Sequence, residues 1–325
     1  MTGEQALRAA AAPRRRRGSL WRQLVAHRVA LLLLLPGLVY FVVFHYVPMI
    51  GVVLAFKIYH PNEGILGSPW VGMLHFDRFF GSYYATRIIG NALILNLLSI
   101  AFAFPVPIVL ALLLNEVRSQ LFKRAVQSIT YFPYFISAVV MVGIVKTLLS
   151  TDPTVGVVNH VREAALGLPP TDFVNQAALF RPIYIGMTIW QTSGFSAIIY
   201  LAALAAVDVQ LYEAAIIDGA NRLRLVRHVS LPALAPTIVI LLLLHIAALL
   251  KNGVEAILAY YGPAIYETAD VIETFVYRRG IAGDGGAPPD YGFATAVGLF
   301  QAAVGLVLIF LANRVARQIT GHGLW

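Results

Sequence analysis

The sequence predicts an all-α integral membrane protein with six transmembrane helices, and three observations carry that prediction. The chain of 325 residues is 59% hydrophobic and 12% charged, with a mean hydropathy of +0.75. A soluble domain carries about 25% charged residues, so this chain cannot cover a water-facing surface. Six windows each hold the roughly 20 mostly apolar residues that cross a bilayer as a helix. The basic residues gather in alternate connecting segments, as the positive-inside bias requires. This composition excludes a soluble enzyme and a disordered chain. With no cysteine, disulfides, thiolate nucleophiles and Cys-ligated metals are excluded too.

The first 28 residues form a basic cytoplasmic tail. Arg14–Arg17 ahead of an apolar run resemble the start of a signal peptide. The run is too long for that, and no small-residue cleavage site follows cleanly, so it reads as an uncleaved first helix. The spans are placed at about 29–56, 88–114, 126–149, 183–207, 231–250 and 293–312, within a membrane domain of 29–313. In the first, Pro36 follows the run Leu31–Leu35; in the second, Pro105 and Pro107 predict a kink. The runs are longer and more uniformly apolar than the alternating strands of about 10 residues in a barrel.

Placing the N-terminus inside makes the N-tail, 116–127, 208–230 and the C-tail 314–325 cytoplasmic. Fifteen of the 24 Lys and Arg residues fall there, against five of the 16 Asp and Glu. The topology is therefore N-in, C-in. The net charge of +8 is a topological signal, with no basic folded face to mark a nucleic-acid partner. The external segments 57–87, 151–182 and 252–291 are rich in turn formers. None is large enough for a separate domain.

Chemistry-bearing motifs are missing. There is no nucleotide-binding G-x-x-x-x-G-K-[ST], no H-E-x-x-H and no G-x-S-x-G. The eight histidines are scattered without an i, i+4 pair. Asp152, Asp172, Asp284 and Asp290 read as loop or capping residues. The chain itself is expected to be no enzyme and to hold no metal or cofactor.

One cytoplasmic loop, 208–232, stands out. Asp208 is placed to cap a helix on which Leu211, Tyr212, Ala215 and Ile216 form an apolar stripe. Gly219 gives the chain room to turn. A short basic amphipathic helix over 222–227 follows, and Ser230-Leu231-Pro232 restarts a helix into the membrane. Physical reasoning leaves two readings open: a helix pair docking into a groove on another protein, or a helix lying on lipid headgroups.

This loop carries Glu213-Ala214-Ala215, then Gly219, then Val229-x-Leu231-Pro232. The spacing resembles E-A-A-x3-G-x9-I-x-L-P, the mark of permease subunits of binding-protein-dependent ABC importers, with Val in place of Ile. The resemblance extends to Leu35-Pro36-Gly37, Gly64–Gly72, Leu113–Arg118, Tyr131–Ser137, Ala294–Gln301 and the terminal Gly323-Leu324-Trp325. These stretches are similar to the subgroup that carries complex carbohydrates, including alginate oligosaccharide importers.

The resemblance implies a type I importer bundle in which 208–232 is the coupling helix that docks on an ATPase. Glu213, Ala214, Ala215, Asp218, Gly219, Ala220, Leu231 and Pro232 are the residues it assigns there. It further implies a multi-pass protein of the bacterial inner membrane with a second, different permease chain. Two ATP-binding cassette subunits would hold ATP and Mg2+, and an extracytoplasmic sugar-binding protein would deliver an oligosaccharide or polysaccharide, an acidic one such as alginate being favoured.

Polar residues inside a membrane are costly and are pathway candidates by default. Trp190, Gln191, Thr192, Ser193 and Phe195 in the fourth span, and His245, Lys251 and Asn252 at the fifth, are the candidates, since aromatic faces and hydroxyls suit sugar rings. Competing readings stand beside them. Trp190 suits a packing interface, Thr192 and Ser193 suit bonds to their own helix, His245 suits helix packing, and Lys146 and Lys251 suit snorkelling to the outer surface. A stand-alone secondary transporter or channel would need an intramembrane carboxylate, and no span core holds Asp or Glu. A membrane-embedded transferase would need clustered His or acidic residues, and none is seen.

Overall fold

The computed structural model describes residues 28–283 and 286–320. The described residues are helices and connecting turns, with one isolated antiparallel bridge between Lys57 and Trp70. The basic N-tail and the terminal Gly323-Leu324-Trp325 lie outside them. The chain divides into two compact units, Met1–Val53 and Leu54–Trp325.

The first unit holds most of α1, the apolar run Arg28–Phe56. It is α-helical to Phe41, widens to a π turn over Val42–Tyr46, then tightens to a 3-10 helix from Val47. Pro48 sits at that change: its ring lacks an N–H and crowds the preceding turn. Departures from regular winding relieve such a conflict.

In the second unit, α2 (Leu74–Phe80) precedes α3 (Tyr83–Glu116). The expected kink at Pro105 takes the form of a π turn over Ser99–Ala103, where the Phe104 N–H donates to the Ser99 carbonyl at 2.9 Å. The extra residue gives the proline rings room within the helix.

The third span departs from expectation. The run read as one helix at 126–149 is two, α4 (Gln120–Phe135) and α5 (Ala138–Leu148), bent by 102°. Pro133 lies in a 3-10 turn at the break, and Ser137 caps α5 by accepting from the Val140 N–H. The lower part of α4 carries Gln120, Lys123, Arg124 and Gln127, so it is amphipathic rather than uniformly apolar.

Next come α6 (Val157–Leu166), α7 (Ala177–Ala205), α8 (Val209–Ile217), α9 (Arg222–Ala247), α10 (Val254–Tyr260), α11 (Ile272–Tyr277) and α12 (Tyr291–Thr320). The helix expected to restart at 231 does not restart. α9 runs unbroken from Arg222, with a π turn over Val226–Ser230 admitting Pro232. α12 continues past residue 313, so part of the predicted C-tail is helical. Five described helices are long and apolar enough to cross a membrane, or six with the bent pair counted as one broken span.

The larger apolar core joins Phe79, Ile88, Leu95, Met141, Phe180, Ile257, Phe275 and Val297; a second, toward the cytoplasmic side, joins Ala111, Ala197, Tyr200, Leu204 and Leu234. Gly194 fixes the approach of α4 to α7. A Cβ there would lie 2.0 Å from the Thr130 carbonyl oxygen, so only glycine permits this backbone contact.

Candidate functional site: a cavity beside the helix break, and a cytoplasmic turn

Broken helices are tolerated at membrane depth where they are buried or line a cavity, and the break after α4 lies beside one. A cavity of about 300 Å³ is bounded by α3, α4, α7 and α9. Its polar lining comes from Ser99, Tyr134, Thr188, Thr192, Ser196, Tyr200 and His245. Thr188, Thr192 and Ser196 recur every fourth residue and so share one face of α7. Thr192 is near the middle of that 29-residue helix, and Ser99 is near the middle of α3, so the cavity lies about halfway along both.

The Thr188 and Thr192 hydroxyls donate to the Tyr184 and Thr188 carbonyls, each at 2.8 Å. Their oxygens therefore keep lone pairs for incoming hydroxyl donors. Tyr134 is stacked on Phe195 at 3.9 Å and 4°, which fixes its ring at the cavity wall. The π turn of α3 also reaches this wall through Ser99 and Ala103. His245 meets the edge of Phe104 at 5.2 Å.

Of the expected pathway residues, Thr192 and His245 line this cavity, and the others do not. Gln191 donates to the Ile136 carbonyl at 2.8 Å, satisfying an acceptor that the broken helix would leave open. Ser193 is buried and donates to the Ile189 carbonyl. Phe195 buttresses Tyr134, and Trp190 is half exposed. Lys146 neither snorkels nor faces the cavity: its ammonium donates to the Ala259 carbonyl at 2.8 Å and lies over the Tyr260 ring. Lys251 is exposed in a groove between α9 and α12.

Asn252 belongs to a polar cluster. Its Oδ1 accepts from Asn96 at 3.0 Å, and its N–H donates to Glu273 Oε1 at 2.9 Å, which also accepts from Gln301 at 2.8 Å. Burial raises the Glu273 carboxyl above the ordinary range, the effect outweighing the hydrogen bonds and Lys251 that lower it.

A larger network, which the sequence reading missed, centres on the buried Asp270. Its Oδ2 accepts from Arg87 at 3.0 Å and Arg278 at 2.9 Å; its Oδ1 accepts from the Tyr261 hydroxyl at 2.5 Å and Thr274 at 3.0 Å. Asn91 donates to the Asp270 and Glu267 carbonyls and accepts from Arg181 at 2.7 Å. Burial first, then the neighbouring carboxylate, holds the Tyr261 phenol protonated far above its ordinary range. α3, α7 and the 261–278 segment are thereby tied together.

The cytoplasmic turn follows its sequence closely. Asp208 caps α8 by accepting from the Gln210 N–H at 2.9 Å, and Asn221 caps α9 by accepting from Arg224 at 3.0 Å. Gly219 has φ +80°. The Gly219 N–H donates to the Ile216 carbonyl and the Ala220 N–H to the Ala215 carbonyl, the paired bonds of a glycine-ended helix. No residue of α8 is buried: Leu211, Ile216, Ile217 and Glu213 are all exposed. Tyr212 reaches back, bonding the buried Ser230 hydroxyl at 2.9 Å. Among the described residues no cluster of His, Asp and Glu could hold a metal.

Comparison with known proteins gives one consistent result. Residues 79–321 match the family described as binding-protein-dependent transport system inner membrane component. The polygalacturonan/rhamnogalacturonan transport system permease protein YteP of Bacillus subtilis (strain 168) is 44% identical, over 95% of this chain and 94% of that protein. Protein LplB of the same organism is 42% identical, over 90% of each. A crystal structure of a bacterial ABC transporter involved in the import of the acidic polysaccharide alginate contains a chain that is 42% identical. It superposes with a TM-score of 0.83, over 93% of this chain and 99% of that one. In the structure of the alginate transporter in complex with alginate pentasaccharide-bound periplasmic protein, the TM-score is 0.84.

Proposed function

Because this chain belongs to the family of binding-protein-dependent transport system inner membrane components, and its similar relatives carry polysaccharides, we propose that it moves an acidic oligosaccharide or polysaccharide inward by alternating access. The observation that carries the proposal is the cavity about halfway along two spans and beside a broken one, the arrangement in which transporters hold substrate. Lone pairs on Thr188 and Thr192, the Tyr134 ring and His245 supply acceptors, a stacking face and a polar edge for a sugar. At about 300 Å³ the cavity is at the lower bound of small-molecule sites and suits one sugar ring, so a second permease chain is expected to provide the other half.

The substrate class rests on relatives. Polygalacturonan and alginate, in the descriptions of two of them, are both polymers of uronic acids. An acidic chain of this kind is the reading those likenesses favour.

The cytoplasmic turn is assigned the coupling role. Glu213, Ala214, Ala215, Asp218, Gly219 and Ala220 form an exposed helix end on a rigid bend, with Leu231 and Pro232 in the helix behind it. Partner ATPases carrying ATP and Mg2+ would press on this end, and an extracytoplasmic binding protein would deliver the cargo.

The test is ATP hydrolysis by the complex in liposomes with its binding protein, loaded with an oligouronate or a neutral oligosaccharide. Stimulation is expected with the oligouronate and is expected to vanish in Glu213→Lys with assembly intact. Stimulation by the neutral sugar alone would overturn the substrate class. Normal coupling in the variant would overturn the role of the turn.

A further inference from the structure

An acidic sugar brings a carboxylate into the cavity beside the helix break, and a carboxylate out of water needs donors and a positive charge. The threonine wall supplies neither. The Thr188 and Thr192 hydroxyls give their protons to the Tyr184 and Thr188 carbonyls at 2.8 Å, so they present lone pairs. The nearby lysines are placed elsewhere. Lys146 is bound to the Ala259 carbonyl, and Lys251 lies on the separate groove between α9 and α12.

His245 fills the gap. Among the described residues lining the cavity, it alone can carry a positive charge. Its ring is set by the edge contact with Phe104, 5.2 Å between centroids and 79° between planes. Neither ring nitrogen has a hydrogen-bond partner among the described residues, and the residue is exposed rather than packed away. An ionisable side chain placed within a span marks a functional position. Imidazoles change charge in the range of pH 5 to 8, and a carboxylate close by favours the charged form.

The surroundings leave that response to the cargo. The titratable groups sharing the cavity are phenols, Tyr134 on α4 and Tyr200 on α7, while α3 presents Phe104 and Ser99. α12, also packed on α9, carries its titratable side chains near its ends, at Tyr291, Arg314 and Arg317. Those of α9 itself, Arg222, Arg224, Arg227 and His228, stand more than four turns below His245. Glu116, at the cytoplasmic end of α3, is the one carboxylate on α3, α4, α7, α9 and α12.

We propose that His245 selects an acidic cargo: its imidazolium binds a uronate carboxylate in the cavity, so that an acidic exterior favours import. The proposal rests on the reading of an acidic cargo given above. Binding takes one proton from water onto a ring nitrogen, and departure of the carboxylate returns it.

The experiment follows uptake of an oligouronate per ATP hydrolysed, in proteoliposomes holding the complex and its binding protein. The interior is buffered, and external pH is stepped from about 6 to about 8. Wild-type uptake per ATP is expected to fall severalfold across that range. His245→Gln is expected to lower it about tenfold at the acidic end and to flatten the profile. His245→Lys keeps the charge throughout, and is expected to recover most of the uptake with a flat profile, which a packing role would not produce. Equal losses in both variants at every pH would make His245 a packing residue and overturn the proposal. A flat wild-type profile, or a wild-type slope retained in His245→Gln, would overturn it with the acidic cargo left standing. A wild-type complex that imports a neutral oligosaccharide and not the oligouronate overturns the cargo reading, and this proposal with it.

Discussion

The outer end of the chain and its cytoplasmic turn are built on opposite principles. At the outer end, Asp270 is wholly buried and answered by Arg87, Arg278, Tyr261 and Thr274. At the cytoplasmic end, α8 buries no residue, and Leu211, Ile216 and Ile217 stay in the open. Buried ionic networks tolerate no missing member, because the remaining charges are left unanswered in a low-dielectric interior. An exposed helix on a defined glycine bend loses little when altered, yet it offers a shaped surface to another protein. The same chain thus ties its own buried charges together at one end and leaves an exposed helix at the other.

The largest effect that sharpens this contrast is expected at Asp270. Asp270→Ala leaves two mostly buried arginines facing each other, and should cost about 3–5 kcal/mol, read as a large fall in the thermal transition of the purified chain. A transition within a degree of wild type would break the comparison. Next comes the helix contact at Gly194. Gly194→Ala drives a methyl group against the Thr130 carbonyl and should cost about 1–3 kcal/mol. The same change at Gly37, where a Cβ meets nothing within 4 Å, serves as the control.

A smaller effect is expected from the Glu273 cluster, and it depends on pH. Burial raises the Glu273 carboxyl, so the folded chain keeps this proton to a higher pH than the unfolded chain. The associated stability is present in full below the unfolded value of about 4.3. It is lost as pH rises through the folded value. Glu273→Gln removes that dependence, so its advantage over wild type should grow from about pH 4.3 upward; parallel stability curves would sink the assignment. The smallest stability effect belongs to Glu213→Lys on exposed α8, within about 0.5 kcal/mol of wild type, although coupling is expected to be lost.

Much of this organisation was legible in the sequence, for reasons tied to range. Five spans and the cytoplasmic turn follow from apolar length, capping residues and a glycine, all of which act within a few positions. The third span was misread because hydropathy averaged over Pro133, and because the polar residues Gln120, Lys123 and Arg124 at the start of α4 lay outside the apolar window. The proline was the available signal. In the cavity, Thr192 and His245 were named as candidates, but Thr188 and Ser196 were missed, although the i, i+4, i+8 spacing pointed to them. Gln191 was read as a pathway residue because its partner, the Ile136 carbonyl, is exposed to bonding only by a break that was not foreseen. Asp270 and Glu273 were not singled out in the external segment 252–291. Their partners Arg87, Asn91 and Gln301 stand on other helices, and no local pattern announces such pairings.

The unbroken course of α9 has a mechanical consequence. Its 26 residues from Arg222 to Ala247 make a rod of about 39 Å at 1.5 Å per residue. One end begins directly after the exposed bend at Gly219, and the other carries His245 at the cavity wall. Had the chain restarted at Ser230, a hinge would absorb any push applied below it. With the π turn keeping the winding continuous, a tilt of about 5° about one end displaces the other by about 3 Å, a stroke comparable to the diameter of a water molecule.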